Sequence, residues 1–557
     1  MSSRAFALIC IGMFLLLAVV AAPTATAQTE DRASAWIQFG EPDQENGLHL
    51  RTGDGARLTS RGGRFCRGTN AAGRRHALHF AVAPSFVGQV MPVRVTVEYW
   101  DEGADWFLLR YRCADPRAAD RNARTEIVRR TDTKTWRHYT FHLPDAEFGA
   151  AGSRSYDFFV YLEPLDQHER LDDVLISRVE VTKGGIVLAA DPDAVSADGA
   201  TTCALEAHVY DRTGAPVADD TDVAFSSTLG RVTPRRTTTV AGRARATFTG
   251  SHHPGTAVVT ARWNDDEHSI RIPMLAGRGP VREISYALDD FSGPGAWRGT
   301  DTPEAEASLS TRDAPERDGR PTARIHYRFG AGQYAASLYY PTMIPGRPRQ
   351  LTLWMDTSRP GNQFDVYCHD ATRRELHFNS LFLWQSGWRQ AMFALDSPMI
   401  SATEQDYTME YPLTFDRFRL LHVYWTSAGA DGDAGTLDLQ DLVVTTQVPE
   451  SALVWPEVLI GDSRLVEEPG DRVPVTIRVR DFSGRAHEGL TVALSSYDFR
   501  GERTRGPQFD LDLAADEVKL LTWAFTPMRT GRHQVEATIR GDGVESASRT
   551  AVIVGME

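Results

Sequence analysis

The chain has 557 residues, 42% of them hydrophobic and 24% charged, an ordinary globular composition that argues against disorder and gives room for about four domains. A formal net charge of -14, with no long Lys/Arg run, excludes nucleic acid as a partner held by counterion release. No apolar run of about 18 residues follows the first 27, so no transmembrane segment is expected after them.

Arg4 precedes the apolar run Phe6 to Val20, which ends in Ala25-Thr26-Ala27. This is the layout of a secretory signal peptide over residues 1–27, cut before Gln28, with an uncleaved anchor as the alternative. Cys10 lies inside the apolar run and carries no role. The expected product is secreted, either extracellular or periplasmic.

Nearly every periodic segment after that point alternates with period two, is rich in Val, Thr, Phe and Tyr, and is punctuated by Gly, Asp and Pro. The fold class is therefore all-β and multidomain. Comparing the chain with itself gives five strand-length matches in the same order. His76–Val82 pairs with Ala323–Phe329, Val95–Asp101 with Leu351–Thr357, Phe107–Asp115 with Asn362–Asp370, Thr135–Leu143 with Gly387–Leu395, and Ile176–Val181 with Leu439–Val444. A duplicated domain is expected, with copies over 31–182 and 281–450.

Within the first copy, Val93, Val95, Val97 and Tyr99 share one strand face, and Arg94, Thr96, Glu98 and Trp100 share the other. The matching strand of the second copy puts Thr352, Trp354 and Asp356 on its polar face. The next strand adds Trp106, Arg110 and Arg112 in the first copy, and Asp365, Tyr367 and His369 in the second. An indole among charged hydrogen-bonding groups suits a sugar, whose C–H face stacks on the ring while its hydroxyls meet arginine and carboxylate. The candidate carbohydrate-binding residues are thus Arg94, Glu98, Trp100, Trp106, Arg110, Trp354, Asp356 and Tyr367. The alternative is that a neighbouring loop or domain covers the tryptophans. Trp136 and Trp388, beside core strands, read as structural.

Asp431, Asp433 and Asp438 offer oxygen ligands at alternating spacing, a weak signal for a structural calcium, against the alternative of a simple turn. No other cofactor is expected. Of the four remaining cysteines, Cys66 and Cys113 fall in one domain and could form a disulfide, while Cys203 and Cys368 read as lone buried thiols. The nucleophile-elbow, zincin, P-loop and dinucleotide-binding patterns are all missing, so an enzyme is not expected, although a polysaccharide-active one stays open.

Three resemblances organise these segments. TWRHYTFHL (Thr135 to Leu143), GWRQAMFAL (Gly387 to Leu395), DDVLISRVEV (Asp172 to Val181) and YALDDFSGPGAWRG (Tyr286 to Gly299) resemble strands of the galactose-binding-like jelly rolls found in carbohydrate-binding modules. SADG (Ser196 to Gly199), ALEAHVYDRTGAPV (Ala204 to Val217), VAFSSTLG (Val223 to Gly230), AGRARATFT (Ala241 to Thr249) and PGTAVVTA (Pro254 to Ala261) resemble the bacterial Ig-like domain of the invasin and intimin group over residues 183–277. Residues 453–557 resemble a generic Ig-like or fibronectin-like module. Together these imply a secreted, non-catalytic protein whose jelly rolls bind a polysaccharide or glycan and whose Ig-like domains act as spacers. The alternative they imply is a structural or adhesion role, with proteins of the cell envelope as partners.

Overall fold

The computed structural model describes residues 34–554, apart from 52–55, 70–76, 85, 87–89, 115–121, 126, 150–155, 163–171, 292–296, 300, 303–304, 330–334, 359–360, 384–385, 397–408, 422–432, 461–464 and 467–468. The expected signal peptide lies outside the described residues. Among the described residues the regular secondary structure is all strand except for a short 3-10 turn, Glu450–Ala452. Its strands form eight sheets that face each other in pairs around four large apolar cores. This is the all-β, β-sandwich architecture that period-two patterning predicts, because one face of each strand must be buried and the other can meet water.

In the first sandwich the larger sheet runs Trp136–Ala146, Met91–Trp100, Leu175–Lys183, Ser34–Gln38 and Gln44–Asn46, with Arg64–Gly68 also on Leu175–Lys183 and Leu58–Arg61 on Arg64–Gly68. The facing sheet centres on Trp106–Arg112, Phe158–Tyr161 and Ala77–Val82. The third sandwich repeats this order. Arg389–Ala394, Arg347–Thr357, Asp433–Pro449 and Ala323–Phe329 make one sheet, faced by Ala335–Ile344, Leu413–Leu421, Gln363–His369 and Glu375–Phe382.

Four of the five sequence matches join strands at the same place in this order. The fifth does not: Ala77–Val82 pairs with Phe158–Tyr161, whereas Ala323–Phe329 pairs with Asp433–Pro449 in the opposite sheet. The topological counterpart of Ala77–Val82 is Ala335–Ile344. Both matched strands alternate in the same way, and alternation alone does not say which sheet a strand joins.

The second sandwich spans Gly185–Asp191 to Asp266–Leu275 around Leu188, Val209, Phe225 and Phe248. A single residue, Gly184, separates it from the last strand of the first. Gly184 has φ 81°, and a Cβ there would lie 2.0 Å from the Asp211 carbonyl oxygen, so only glycine fits this joint. The fourth sandwich, Val454–Ile460 to Val544–Val554, follows the third through the 3-10 turn.

Candidate functional site

Successive strands of the first and third sandwiches largely alternate between sheets, and this splits the candidate residues. Met91–Trp100 lies in the larger sheet and Trp106–Arg112 in the facing one, so their outward side chains point to opposite sides of the sandwich. Arg94, Glu98 and Trp100 therefore do not meet Arg110. Likewise Trp354 and Asp356, on Arg347–Thr357, lie on the other side of the third sandwich from Tyr367, on Gln363–His369.

On the larger sheets the tryptophans are covered. Trp136 sits directly opposite Trp100, with ring centroids 5.5 Å apart at 62°. The Trp100 Nε1 donates to Glu102 Oε2 at 2.9 Å. The tight turn of the Leu58–Arg61 and Arg64–Gly68 hairpin lies on the ring: Gly62 has φ 49°, and a Cβ there would be 2.6 Å from Trp100 Cζ3. Glu98 accepts from Arg64 and, at 2.6 Å, from Ser177. Arg94 reaches across to Asp266 of the second sandwich at 2.5 Å. In the third sandwich the Arg317 guanidinium lies 3.8 Å from the centre of the Trp354 ring and 5.2 Å from that of Trp388, and donates to Gln440 Oε1 at 2.7 Å. Asp356 accepts from the Gly387 backbone N–H at 2.7 Å.

Arg94, Glu98, Trp100, Trp354 and Asp356 thus have partners within the chain that tie hairpin, loop and sandwich together. Trp106 does not face outward as expected, being 7% exposed and part of the first core. A large indole left on an outer face gains by being covered, and here the cover comes from segments distant in sequence.

The smaller sheets present the candidate site instead. On the third sandwich, Tyr339 is an exposed aromatic on Ala335–Ile344. The Arg417 guanidinium lies 5.7 Å from the centre of its ring and 4.2 Å from that of Tyr367. His377 stacks on Tyr367, with centroids 4.8 Å apart and planes within 8°. Arg419 Nη1 donates to the Tyr367 hydroxyl at 3.1 Å, and burial pushes that hydroxyl's pKa up, keeping it protonated. Asp365, fully buried, accepts from Gln363 Nε2 at 3.0 Å. Tyr367 thus organises the face with both ring sides occupied, and Tyr339 is the ring left to a ligand.

The corresponding face of the first sandwich carries His79, Tyr156, Phe159 and Tyr161, with neighbouring centroids 4.7 to 5.8 Å apart. Arg110 lies over Tyr161 at 5.5 Å. Burial lowers the His79 pKa, so its imidazole is neutral at neutral pH. The sequence reading found Arg110 and Tyr367 but missed His79, Phe159, Tyr161 and Tyr339. A signal existed in DFFVYL, Asp157 to Leu162, where Phe158 and Val160 point inward and the alternate aromatics point out.

The disulfide expectation is revised, and most of the metal expectation lies outside the described residues. Asp431 lies outside the described residues, as does the side chain of Asp433, whose backbone pairs with Phe329. Asp438 is taken by Arg324 through two hydrogen bonds, of 2.7 and 2.9 Å, which leaves a poor donor for calcium. His369, Glu375 and Asp416 converge within 4.8 Å, but Arg417 bonds Asp416 at 2.6 Å and Glu375 at 2.8 Å, supplying the positive charge a metal would bring. Cys66, on Arg64–Gly68, and Cys113, just past Trp106–Arg112 and bridged to Ala146, are buried, separate thiols, with the Cys66 Sγ turned to the Thr59 carbonyl at 3.7 Å. Cys203 and Cys368 are buried thiols as expected, and burial pushes the Cys203 thiol up to about 12.

Among curated proteins none matches the sequence. Solved structures with similar parts include a family 11 carbohydrate-binding module of a cellulosomal cellulase of Clostridium thermocellum, at 14% identity over 30% of this chain and 96% of that one, TM-score 0.22. The D0-D1 domain of intimin is similar at 18% identity over 35% and 87%, TM-score 0.16. The CARDB domain of a Pyrococcus furiosus protein is similar at 18% identity over 18% and 89%, TM-score 0.16. Residues 185–273, the second sandwich, match the family described as bacterial Ig-like domain (group 1).

Proposed function

We propose that this is an exported, modular, non-catalytic protein that binds carbohydrate through the smaller-sheet faces of its first and third sandwiches, two copies of one duplicated module. The second and fourth sandwiches set the distance between these faces and their surroundings. The observation that carries the reading is the exposed ring of Tyr339 beside Arg417 on a face already stiffened by Tyr367, His377 and Arg419. A pyranose C–H face would stack on Tyr339, and the guanidinium would donate to ring hydroxyls. The first sandwich offers Tyr161 and Phe159 in the same role, next to Arg110. Two weak sites on one chain gain through effective concentration when both reach one polymer. A broad glycan panel probed with the full chain tests this. The expected result is binding weakened in Tyr339→Ala and in Tyr161→Ala, and a panel with no bound glycan would overturn it.

An adhesion or scaffold role is favoured by one specific feature, the firmness of the joints. Asp193 of the second sandwich accepts from Gln447 at 2.6 Å and from Arg349, while Arg347 donates to its backbone oxygen at 3.0 Å. Glu457 of the fourth accepts from Thr342 of the third and, at 2.7 Å, from Arg478. Among the described residues no helix is long and apolar enough to cross a membrane. In this reading a protein of the cell envelope is the partner, and its capture by the full chain, with no glycan bound, is the distinguishing result.

A further inference from the structure

The second, third and fourth sandwiches enclose a cleft of about 940 Å³ between them, on the order of the upper size of small-ligand pockets and at the kind of inter-domain position where they occur. Its apolar wall includes Met274, Pro254, Pro449 and Trp455. Thr256, Thr538, Ser546 and His252 place hydrogen-bonding groups among these apolar surfaces, and three carboxylates also line the cleft: Asp198, held by the Thr201 hydroxyl and the Gly279 N–H, Glu545, and the exposed Glu410.

Two observations point to a ligand. Trp455 is 6% exposed, and its Nε1 has no hydrogen-bond partner among the described residues. Trp100, Trp136 and Trp297 by contrast donate to Glu102, to the Arg61 carbonyl and to Asp289. A buried donor left without an acceptor is costly, and a small shift of the ring on binding would let a ligand oxygen satisfy it. The second observation is the pair Arg278 and Arg540, which share Glu545 at 3.3 and 3.6 Å, one arginine to each carboxylate oxygen. Both arginine side chains are about three-quarters exposed (75% and 74%), so the ion pairs are weak, and each five-donor fork has capacity left for a second carboxylate.

We infer that this cleft is a second carbohydrate site, separate from the sheet faces, and that it takes an acidic sugar: a uronate residue, with its carboxylate held by Arg278 and Arg540 and its ring against Trp455. The mixture of apolar patches and scattered hydroxyl partners fits a polyhydroxylated ring better than an aliphatic chain. Closure of the cleft by three sandwiches fits a short saccharide end better than an extended peptide.

Isothermal titration of the full chain with trigalacturonate and with the neutral galactose trimer tests the assignment. Saturable binding of the acidic trimer only is expected, weakened about tenfold by Arg540→Ala, an exposed position where folding is not at stake. Trp455→Phe, which keeps the apolar ring and deletes the donor, is expected to weaken it severalfold. Tyr339→Ala, on the sheet face, is expected to leave it unchanged, which separates failure here from failure of the proposed sheet-face sites. Equal binding of both trimers, no binding of the acidic one, or sensitivity to Tyr339→Ala but not Arg540→Ala would overturn it. So would acidic-trimer binding that both cleft variants leave intact.

Discussion

The guanidinium of Arg317 lies 3.8 Å from the centre of the Trp354 ring, closing over the indole that sequence alternation assigns to an open face. Arg317→Ala is expected to destabilise the third sandwich by about 1 to 2 kcal/mol, through loss of the cation–π contact and of the hydrogen bond to Gln440. Urea unfolding followed by tryptophan fluorescence reads this directly. Unchanged stability would mean that Trp354 does not need its cover.

Asp101 ends the strand Met91–Trp100 and ties down the turn that leads into Trp136–Ala146. Fully buried, it accepts from the Thr131 backbone at 2.7 Å and hydroxyl at 2.8 Å, and from the Thr133 backbone at 3.2 Å and hydroxyl at 2.6 Å. Burial by itself would raise its pKa, but these bonds outweigh it and hold the carboxyl at about 2. Because the folded pKa is depressed, the stabilisation is complete above the unfolded value near 4 and disappears as pH falls through about 2. The expected size is about 2 kcal/mol. Asp101→Asn should lose a similar amount at neutral pH and flatten the acid limb of the stability curve, as measured by thermal melts between pH 2 and 6.

The joint between the third and fourth sandwiches depends on Glu457, which is 4% exposed and bonded by Thr342 on one side and Arg478 on the other. Glu457→Ala removes the acceptor that Thr342 uses across the joint and leaves Arg478, part-buried within the fourth sandwich, without its anion, a change expected to cost about 1 to 3 kcal/mol. Calorimetry should then resolve a separate, lower transition for the fourth sandwich. A single unchanged transition would show that apolar contacts such as Tyr286 on Phe482, 4.7 Å between centroids, suffice alone.

Asp193→Ala removes the acceptor shared by Arg349 and Gln447 at the joint of the second and third sandwiches. The expected outcome is a broader distribution of overall dimensions in small-angle scattering, with each sandwich still folded by circular dichroism. An identical scattering profile would mean that the remaining contacts fix the joint.

Alternation made much of this fold legible. It assigns Val93, Val95, Val97 and Tyr99 to the core, and all four are buried. It also puts Trp100 on the outer face, where it is found. What alternation does not contain is the sheet a strand joins, which is why Arg110 was grouped with Trp100 and Ala323–Phe329 with His76–Val82. Nor does it reveal cover brought from elsewhere, such as the turn at Gly62 or the side chain of Arg317. The aromatic face of the first sandwich was missed for another reason. Its rings come from His79 on one strand and Phe159 and Tyr161 on another, and only the second, in DFFVYL, carries a signal of its own.

The most direct test of the account compares two single substitutions on whichever neutral glycan the full chain binds best, by titration calorimetry. Tyr339→Ala is predicted to weaken binding at least tenfold, about 1.4 kcal/mol, while Trp354→Ala lowers stability and leaves affinity within error. The reverse pattern, with affinity lost in Trp354→Ala and kept in Tyr339→Ala, would contradict the assignment of the smaller sheet as the binding face.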